Sequence, residues 1–213
     1  MPFDVVHPNH PRDFAEMGQL MAEGFPAKCR HVGMSQERAK AVWEQIWLEV
    51  NPACIGVVRD PQNEGKLAGM IVIKFHPSKE PYYAVDNPKS FFGAAGKVKF
   101  PVCLRLRVSK IETMFSQAPW KKECYVVIIS VSKEARGRGV GQALMAWAEE
   151  QARAHSCRKM TLHVEATNRA IHLYQREGFR RPILWMLLCI TSPLVCLPIS
   201  GTLGFWYMVK RLR

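Results

Sequence analysis

The chain is short of acidic residues and lacks several patterns that would have settled its class at once. Only 18 Asp and Glu stand against 30 Lys and Arg, a formal net charge of +12 at pH 7. That excess suits anionic company, such as a phosphorylated cofactor, nucleic acid or a membrane surface, without choosing among them. No nucleic-acid-binding motif accompanies the charge, so nucleic acid is not expected as a partner. The seven cysteines, at positions 29, 54, 103, 124, 157, 189 and 196, are odd in number and include no C-x-x-C pair. The spacings of a zinc site are missing, so no metal is expected, and the cysteines read as small apolar residues in a reducing, cytoplasmic setting. The N-terminus shows no basic start followed by an apolar run, so no secretory signal is expected. There is no internal repeat and no low-complexity tract. The 213 residues, 48% of them hydrophobic, suit a single domain with a sizeable core.

What is present alternates helix and strand. Phe3 to Val6 reads as a short strand. Phe14, Met17 and Met21 recur at helical spacing, and Ala39, Val42, Trp43, Ile46, Trp47 and Val50 form an apolar stripe behind a Ser35 cap. Cys54 to Val58 and Leu67 to Phe75 read as paired strands joined by a polar turn through Asp60, Pro61, Asn63 and Gly65. Tyr125 to Val131 is an almost continuous apolar run, the pattern of a strand buried on both faces. A glycine-rich turn follows it, then a helix with Val140, Leu144, Trp147, Ala148 and Gln151 along one side. Met160 to Val164 is the next strand, and Asn168 opens a short helix that closes at Gly178. This order predicts an α/β sandwich.

Two segments fit less simply. Within residues 76–122, the positions from Leu104 through Val108 and Ile111 to Phe115 satisfy a helical face, although 102–109 also alternate as a strand would; the longer helical pattern is preferred. Lys97, Lys99, Arg105, Arg107, Lys110, Lys121 and Lys122 oppose Glu112 alone over residues 97–122. Residues 182–209 carry no charge, with Pro193, Pro198, Gly201 and Gly204 interrupting any straight helix. One reading is a buried β-hairpin, completed by a partner in a homodimer. The other is a segment that dips into the inner face of a membrane and returns, since Arg180 and Arg181 precede it and Lys210, Arg211 and Arg213 follow it.

The strongest local signal is the run Val131-Ser132-Lys133-Glu134-Ala135-Arg136-Gly137-Arg138-Gly139-Val140-Gly141. A buried strand here enters a glycine-rich turn at a helix N-terminus, where unpaired N–H groups and the helix dipole favour a phosphate. Arg136 and Arg138 add charge to such a cradle through forked hydrogen bonds. The alternative is a glycine-rich loop that merely starts a helix. The dinucleotide fingerprint is excluded because Leu144 stands where its third glycine belongs, and a P-loop is excluded because no Lys-Ser or Lys-Thr pair follows.

Arg136-x-x-Gly139-x-Gly141 after an apolar strand resembles the acyl-CoA pyrophosphate motif of the GNAT superfamily of N-acetyltransferases. Val164 to Phe179, with Asn168, Ala170, Tyr174, Gly178 and Phe179 at the family's spacing, resembles the second half of its pattern. The close resemblance covers residues 123–180; residues 3–75 agree loosely with the family's opening order. The chain departs from the family where a hairpin of mixed polarity normally follows the Gly-Phe pair.

The resemblance implies an α/β fold with a mixed sheet, a V-shaped splay between two central strands and flanking helices. It implies acetyl-CoA or another acyl-CoA as co-substrate, lying in that V. Main-chain groups near Ile129 and Val131 would bind the pantetheine arm, and Arg136, Gly137, Arg138, Gly139, Val140, Gly141 and Gln142 the pyrophosphate. The acceptor, a small-molecule or peptide amine, would attack directly. Tyr174 matches the family's general acid, though packing alone also accounts for a helix tyrosine. Asn168 would cap the following helix and bond the cofactor or a water; capping alone also accounts for it. A lysine-like amine is almost wholly protonated at pH 7, so a base is needed. Glu123, at the start of the central strand, is the first candidate, and His163 and Glu165 on one face of the next strand come second. Two rival functions stay open at this point: a non-catalytic acyl-CoA-binding module, and a membrane-associated acyltransferase acting on a lipid-borne or membrane-protein amine.

Overall fold

A computed structural model describes residues 3–25, 35–48, 50–76, 119–182 and 205–212 of the protein. Helix α1 (Pro11–Gly24) starts with a reciprocal cap: the His10 ring accepts from the N–H of Arg12, while Asp13 accepts from the N–H groups of Asn9 and His10. Arg59 then bonds both the buried Asp13 carboxylate and the carbonyl of Gly65, tying the first helix to a strand end 46 positions away. Ser35 caps helix α2 (Gln36–Trp47), as its sequence predicts. The two helices pack so closely that a Cβ on Gly18 would lie 2.6 Å from the carbonyl oxygen of Lys40.

Strands β1 (Val5–Val6), β2 (Ile55–Arg59), β3 (Leu67–Lys74) and β4 (Glu123–Val131) run antiparallel in sequence order. Helix α3 (Val140–Ala154) returns the chain so that β5 (Lys159–Glu165) lies parallel to β4. Helix α4 (Ile171–Arg176) follows, and β6 (Phe205–Arg211) closes the six-stranded mixed sheet antiparallel to β5. Helices α1 and α2 bury Met17, Met21, Val42, Ile46 and Trp47 against one face, with Ile55, Val57, Met70 and Val72. Helices α3 and α4 bury Val140, Leu144, Ala148 and Tyr174 against the other, with Ile71, Ile73, Cys124, Val126, Met160 and Leu162. The alternation of apolar residues in β3 is what allows one strand to serve both layers. The α/β architecture with a mixed central sheet is therefore the one expected.

The apolar run of β4 is buried on both faces only in its first half; Val127, Ile128, Ile129 and Val131 are half-buried. A fully apolar strand here lines a cleft rather than sitting wholly in a core, a distinction that composition cannot make. The helix expected near 102–115, nearly all of the basic insert and residues 183–204 of the apolar segment lie outside the described residues. No helix among the described residues is long and apolar enough to cross a membrane.

The close approach of α1 to α2 makes Gly18 a sharp test of this packing. Gly18→Ala places a methyl group against backbone that cannot yield cheaply, and is expected to destabilise by roughly 1–3 kcal/mol in urea unfolding. An unchanged midpoint and slope would show that the helices are not packed this closely.

Candidate active site: a parted strand pair leading to a glycine turn

The cleft originates in one irregularity. On β3, Val72 and Ile73 are neighbours, but their partners on β4 are Ile128 and Val126, so Val127 is an extra, bulged residue. The side chains record the slip: Val126 joins the α3 layer, Val127 and Ile128 both face α1 and α2, and Ile129 returns to the α3 side. Parallel pairing of β4 with β5 runs from Glu123↔Lys159 to Val126↔Leu162 and stops there. Beyond that point β4 continues to Val131 bonded to β3, and β5 continues to Glu165 bonded to β6. The two strands therefore diverge into a V, and the facing edge of β4 from Val127 onward has no ladder with β5.

The open end of β4 leads into the turn. Ser132 donates its N–H to the carbonyl of Ala68 (2.8 Å), and its hydroxyl caps a single 3-10 turn at Lys133–Ala135. Gly137 (φ +77°) and Gly139 (φ +92°) occupy the left-handed region, with empty space where a Cβ would stand. Gly139 is the N-cap of α3 and brings no side chain to it, so the first N–H groups of the helix, from Val140, Gly141 and Gln142, face outward uncapped. A side chain on Gly141 would press on Leu173 at 3.1 Å, and this close contact sets α4 beside the start of α3. The cradle thus has what a phosphate requires: N–H donors, a positive helix end and no obstructing side chains.

The two arginines of the turn have different fates. Arg136 is exposed, and its side chain reaches no farther than the carbonyl of Val131 (3.4 Å). Arg138 turns away to the β2–β3 turn, where its fork grips the Asp60 carboxylate at 2.6 and 2.9 Å and also bonds the Gln62 side chain at 2.9 Å. The guanidinium holds the Asp60 carboxyl below the usual carboxylate range, and the carboxylate raises Arg138 in return. The sequence contains no local sign of this pairing, because its partners are 78 positions apart.

Tyr174 is buried in the same apolar cluster as Val140 and Val164, with its ring edge-on to Phe179 at 6.1 Å. Burial pushes its phenol pKa well up, so the hydroxyl stays protonated across the physiological range. Its hydroxyl makes no hydrogen bond among the described residues. Asn168 is exposed, and its side-chain carbonyl accepts from the N–H of Ala170 (2.9 Å); α4 has Ala170 as its N-cap with no side-chain cap, so Asn168 closes the turn before the helix rather than capping it as expected.

Glu123 lies at the closed end of the strand pair, away from the turn. Its buried carboxylate receives Lys159 (2.8 Å), the hydroxyl of Thr161, the N–H of Trp120 (3.3 Å) and the hydroxyl of Tyr207 (3.5 Å). Tyr207 in turn sits beside His163, with ring centroids 5.1 Å apart, and the His163 Nδ1 is 3.2 Å from the hydroxyl of Tyr125. These residues share the sheet face opposite α3. Burial depresses His163 to about 4 against a smaller upward pull from Glu123, so the imidazole is neutral. Burial and the Glu123 charge push Tyr207 up to about 12. Glu165 does not join this group by any bond described; its carboxylate accepts from Thr167. Tyr125 and Thr161 were findable from sequence, each two residues from a singled-out position and so on the same strand face. Tyr207 and Lys159 were not, since only the pairing register brings them to Glu123. Among the described residues no group of three or more His, Cys, Asp or Glu side chains is placed to hold a metal ion.

Residues 15–179 match the family model described as Acetyltransferase (GNAT) family. No protein of curated function matches the chain in sequence. Among solved structures, the chain resembles a GCN5-related N-acetyltransferase from Kribbella flavida, at 18% identity over 99% of this chain and 98% of that one, with a TM-score of 0.55. It resembles the NatC complex bound to Gag peptide and CoA at 15% identity, with full coverage of both chains and a TM-score of 0.55. A further acetyltransferase is 19% identical over 99% of this chain and all of that one, with a TM-score of 0.53. At such identities the likeness is one of fold.

The depressed His163 has a consequence for stability. Between its ordinary value near 6.5 and about 4, the unfolded chain binds a proton at this site that the folded chain does not, so stability should fall as pH drops through that window. His163→Gln is expected to flatten this part of the stability–pH curve, read from thermal melts between pH 4 and 7. A curve of the same slope in both proteins would show that His163 titrates normally.

Proposed function

Because the chain belongs to the acetyltransferase (GNAT) family, we propose that it transfers an acyl group, acetyl by default, from acyl-CoA to a primary amine by direct attack in a ternary complex. The observation that carries this reading is the continuity of the parted β4 edge with the uncapped, glycine-lined start of α3. Together they offer a slot for an extended arm and a seat for its phosphates. Gly137 to Gln142 supply main-chain donors for the pyrophosphate, and the exposed Arg136 supplies the charge. The half-buried stretch around Ile129 and Val131 holds the pantetheine arm along the edge that β5 leaves unpaired.

Bound acyl-CoA brings an acyl group already activated as a thioester. A fixed main-chain donor on β4 polarises its carbonyl, a form of stabilisation that needs no rearrangement during reaction. Tyr174, kept protonated by its burial, gives its proton to the departing CoA thiolate, which leaves as the thiol. Asn168 orients the turn that carries α4 toward the cleft. On the acceptor side we assign proton removal to the Glu123 carboxylate, approached through Tyr207 and the neutral His163. Small-molecule and peptide amines both remain in the acceptor class; one structural neighbour is a peptide-bound complex.

Thermal-shift titration tests the cofactor site. Acetyl-CoA at a hundred times its dissociation constant should stabilise the wild type by about 2.7 kcal/mol, a rise of roughly 5–11 °C, and Gly139→Asp should lose the response. A folded wild type that shows no shift with any acyl-CoA would overturn the reading. Tyr174→Phe separates catalysis from mere binding: kcat is expected to fall about 10²-fold with the acyl-CoA response retained. A variant with full thiol release would remove Tyr174 from the mechanism.

A further inference from the structure

Asp60 belongs to a hairpin turn with no evident connection to the cleft, yet it is the hub of two structures at once. Its carbonyl accepts from the N–H groups of Asn63 and Gly65 (both 3.1 Å), its own N–H donates to the carbonyl of Lys66 (2.8 Å), and its carboxylate accepts from the N–H of Gln62 (3.0 Å). These bonds make the β2–β3 turn rigid. The same carboxylate, on a side chain only 5% exposed, receives both ends of the Arg138 fork. Gln62 takes a third bond from that guanidinium, and the ring of Phe3 lies beneath it at 5.8 Å. Arg138 is thus enclosed on three sides by groups unrelated to a phosphate.

The turn that carries Arg138 has little else to hold it. The main-chain bonds at Arg136 and Arg138 are both long, 3.4 Å, and nothing packs where Gly137 and Gly139 would carry side chains. Between these glycines the Arg138 fork is the one side-chain ion pair among the described residues that reaches out of the turn. Gly139 is tied to α3 by the N–H of Ala143 (3.0 Å), but neither left-handed glycine adds side-chain packing, so the aim of the donors between them depends on the bonds that Arg138 makes.

We infer that Asp60 is a positioning residue for the acyl-CoA cradle: through Arg138 it clamps the glycine turn to the rigid β2–β3 hairpin and so presents the main-chain donors of residues 137–142 to the pyrophosphate. This rests on the reading that the turn seats acyl-CoA. It assigns the phosphate-facing charge to Arg136 alone and removes Arg138 from direct contact with the cofactor.

The test distinguishes this clamp from a direct phosphate contact. Asp60→Asn and Arg138→Gln should each raise the KM for acyl-CoA about three- to tenfold with kcat nearly unchanged, and the double variant should do no worse than either single one. Arg138→Lys, which keeps the charge but not the fork, should resemble Arg138→Gln, while the exchange of Asp60→Arg with Arg138→Asp should recover part of the loss. If Arg138 instead touched phosphate, Asp60→Asn would leave the KM unchanged or lower it, Arg138→Gln alone would raise it, and the inference would fall. Should Asp60→Asn not fold, the comparison of Arg138→Lys with Arg138→Gln decides: wild-type KM in the lysine variant overturns the clamp. A wild type that binds no acyl-CoA at all would instead defeat the functional reading on which the clamp rests.

Discussion

The extra residue at Val127 is the constraint from which the rest of the cleft follows. A bulge in a central strand twists it and disturbs the ladder on both sides. Here the β3 side absorbs the disturbance with a register shift, and the β5 side loses its pairing after Val126↔Leu162. A gap in the middle of a sheet leaves main-chain groups unsatisfied, which is costly in a core and useful in a binding slot. The fold tolerates the gap because β5 is paired along its full length with β6, and β4 is paired with β3 from Tyr125 to Val131 apart from the bulge. Each strand is held from outside while the space between them stays open.

Charge is distributed around this gap with some economy. Thirty basic residues might have crowded the phosphate seat, yet of the two arginines in the turn only Arg136 is left exposed. At the opposite end of the strand pair, the buried Glu123 is compensated by Lys159 and three further donors, so its charge is tolerable away from water. On the polar face that continues from Glu123, burial keeps Tyr207 and His163 uncharged. The electrostatics are therefore polarised along β4: a cationic helix end at the open mouth, a carboxylate at the closed base.

Helix α3 links the two ends mechanically. Its N-terminus forms the cradle, and near its C-terminus Glu149 bonds Lys210 of β6 and Arg153. Burial alone would raise the Glu149 pKa, but the two cations together hold it down. A Cβ on Gly178, the left-handed residue that ends the α4 segment, would meet the methylene stem of Lys210 at 3.7 Å. Tyr174 belongs to the same buried cluster as Leu144 and Ala148 of α3 and Met208 of β6.

Much of this was legible in the chain before any coordinates. The stripes of α1 and α2, the Ser35 cap, the β2–β3 hairpin, the strand–glycine turn–helix run and the Asn168 to Gly178 segment all rest on local periodicity and on backbone preferences that a few residues impose by themselves. The motif that seats Arg136, Gly139 and Gly141 at a helix start is of that local kind, and so is the placement of Tyr174. The bulge at Val127 carries no local mark, because Val-Val-Ile-Ile pairs equally well in either register and only the facing strand shows which residue is extra. The retreat of Arg138 to Asp60, and the enclosure of Glu123 by Lys159 and Tyr207, were equally hidden. Side chains 36 to 84 positions apart meet through strand register, and register is decided by packing two helical layers against one sheet.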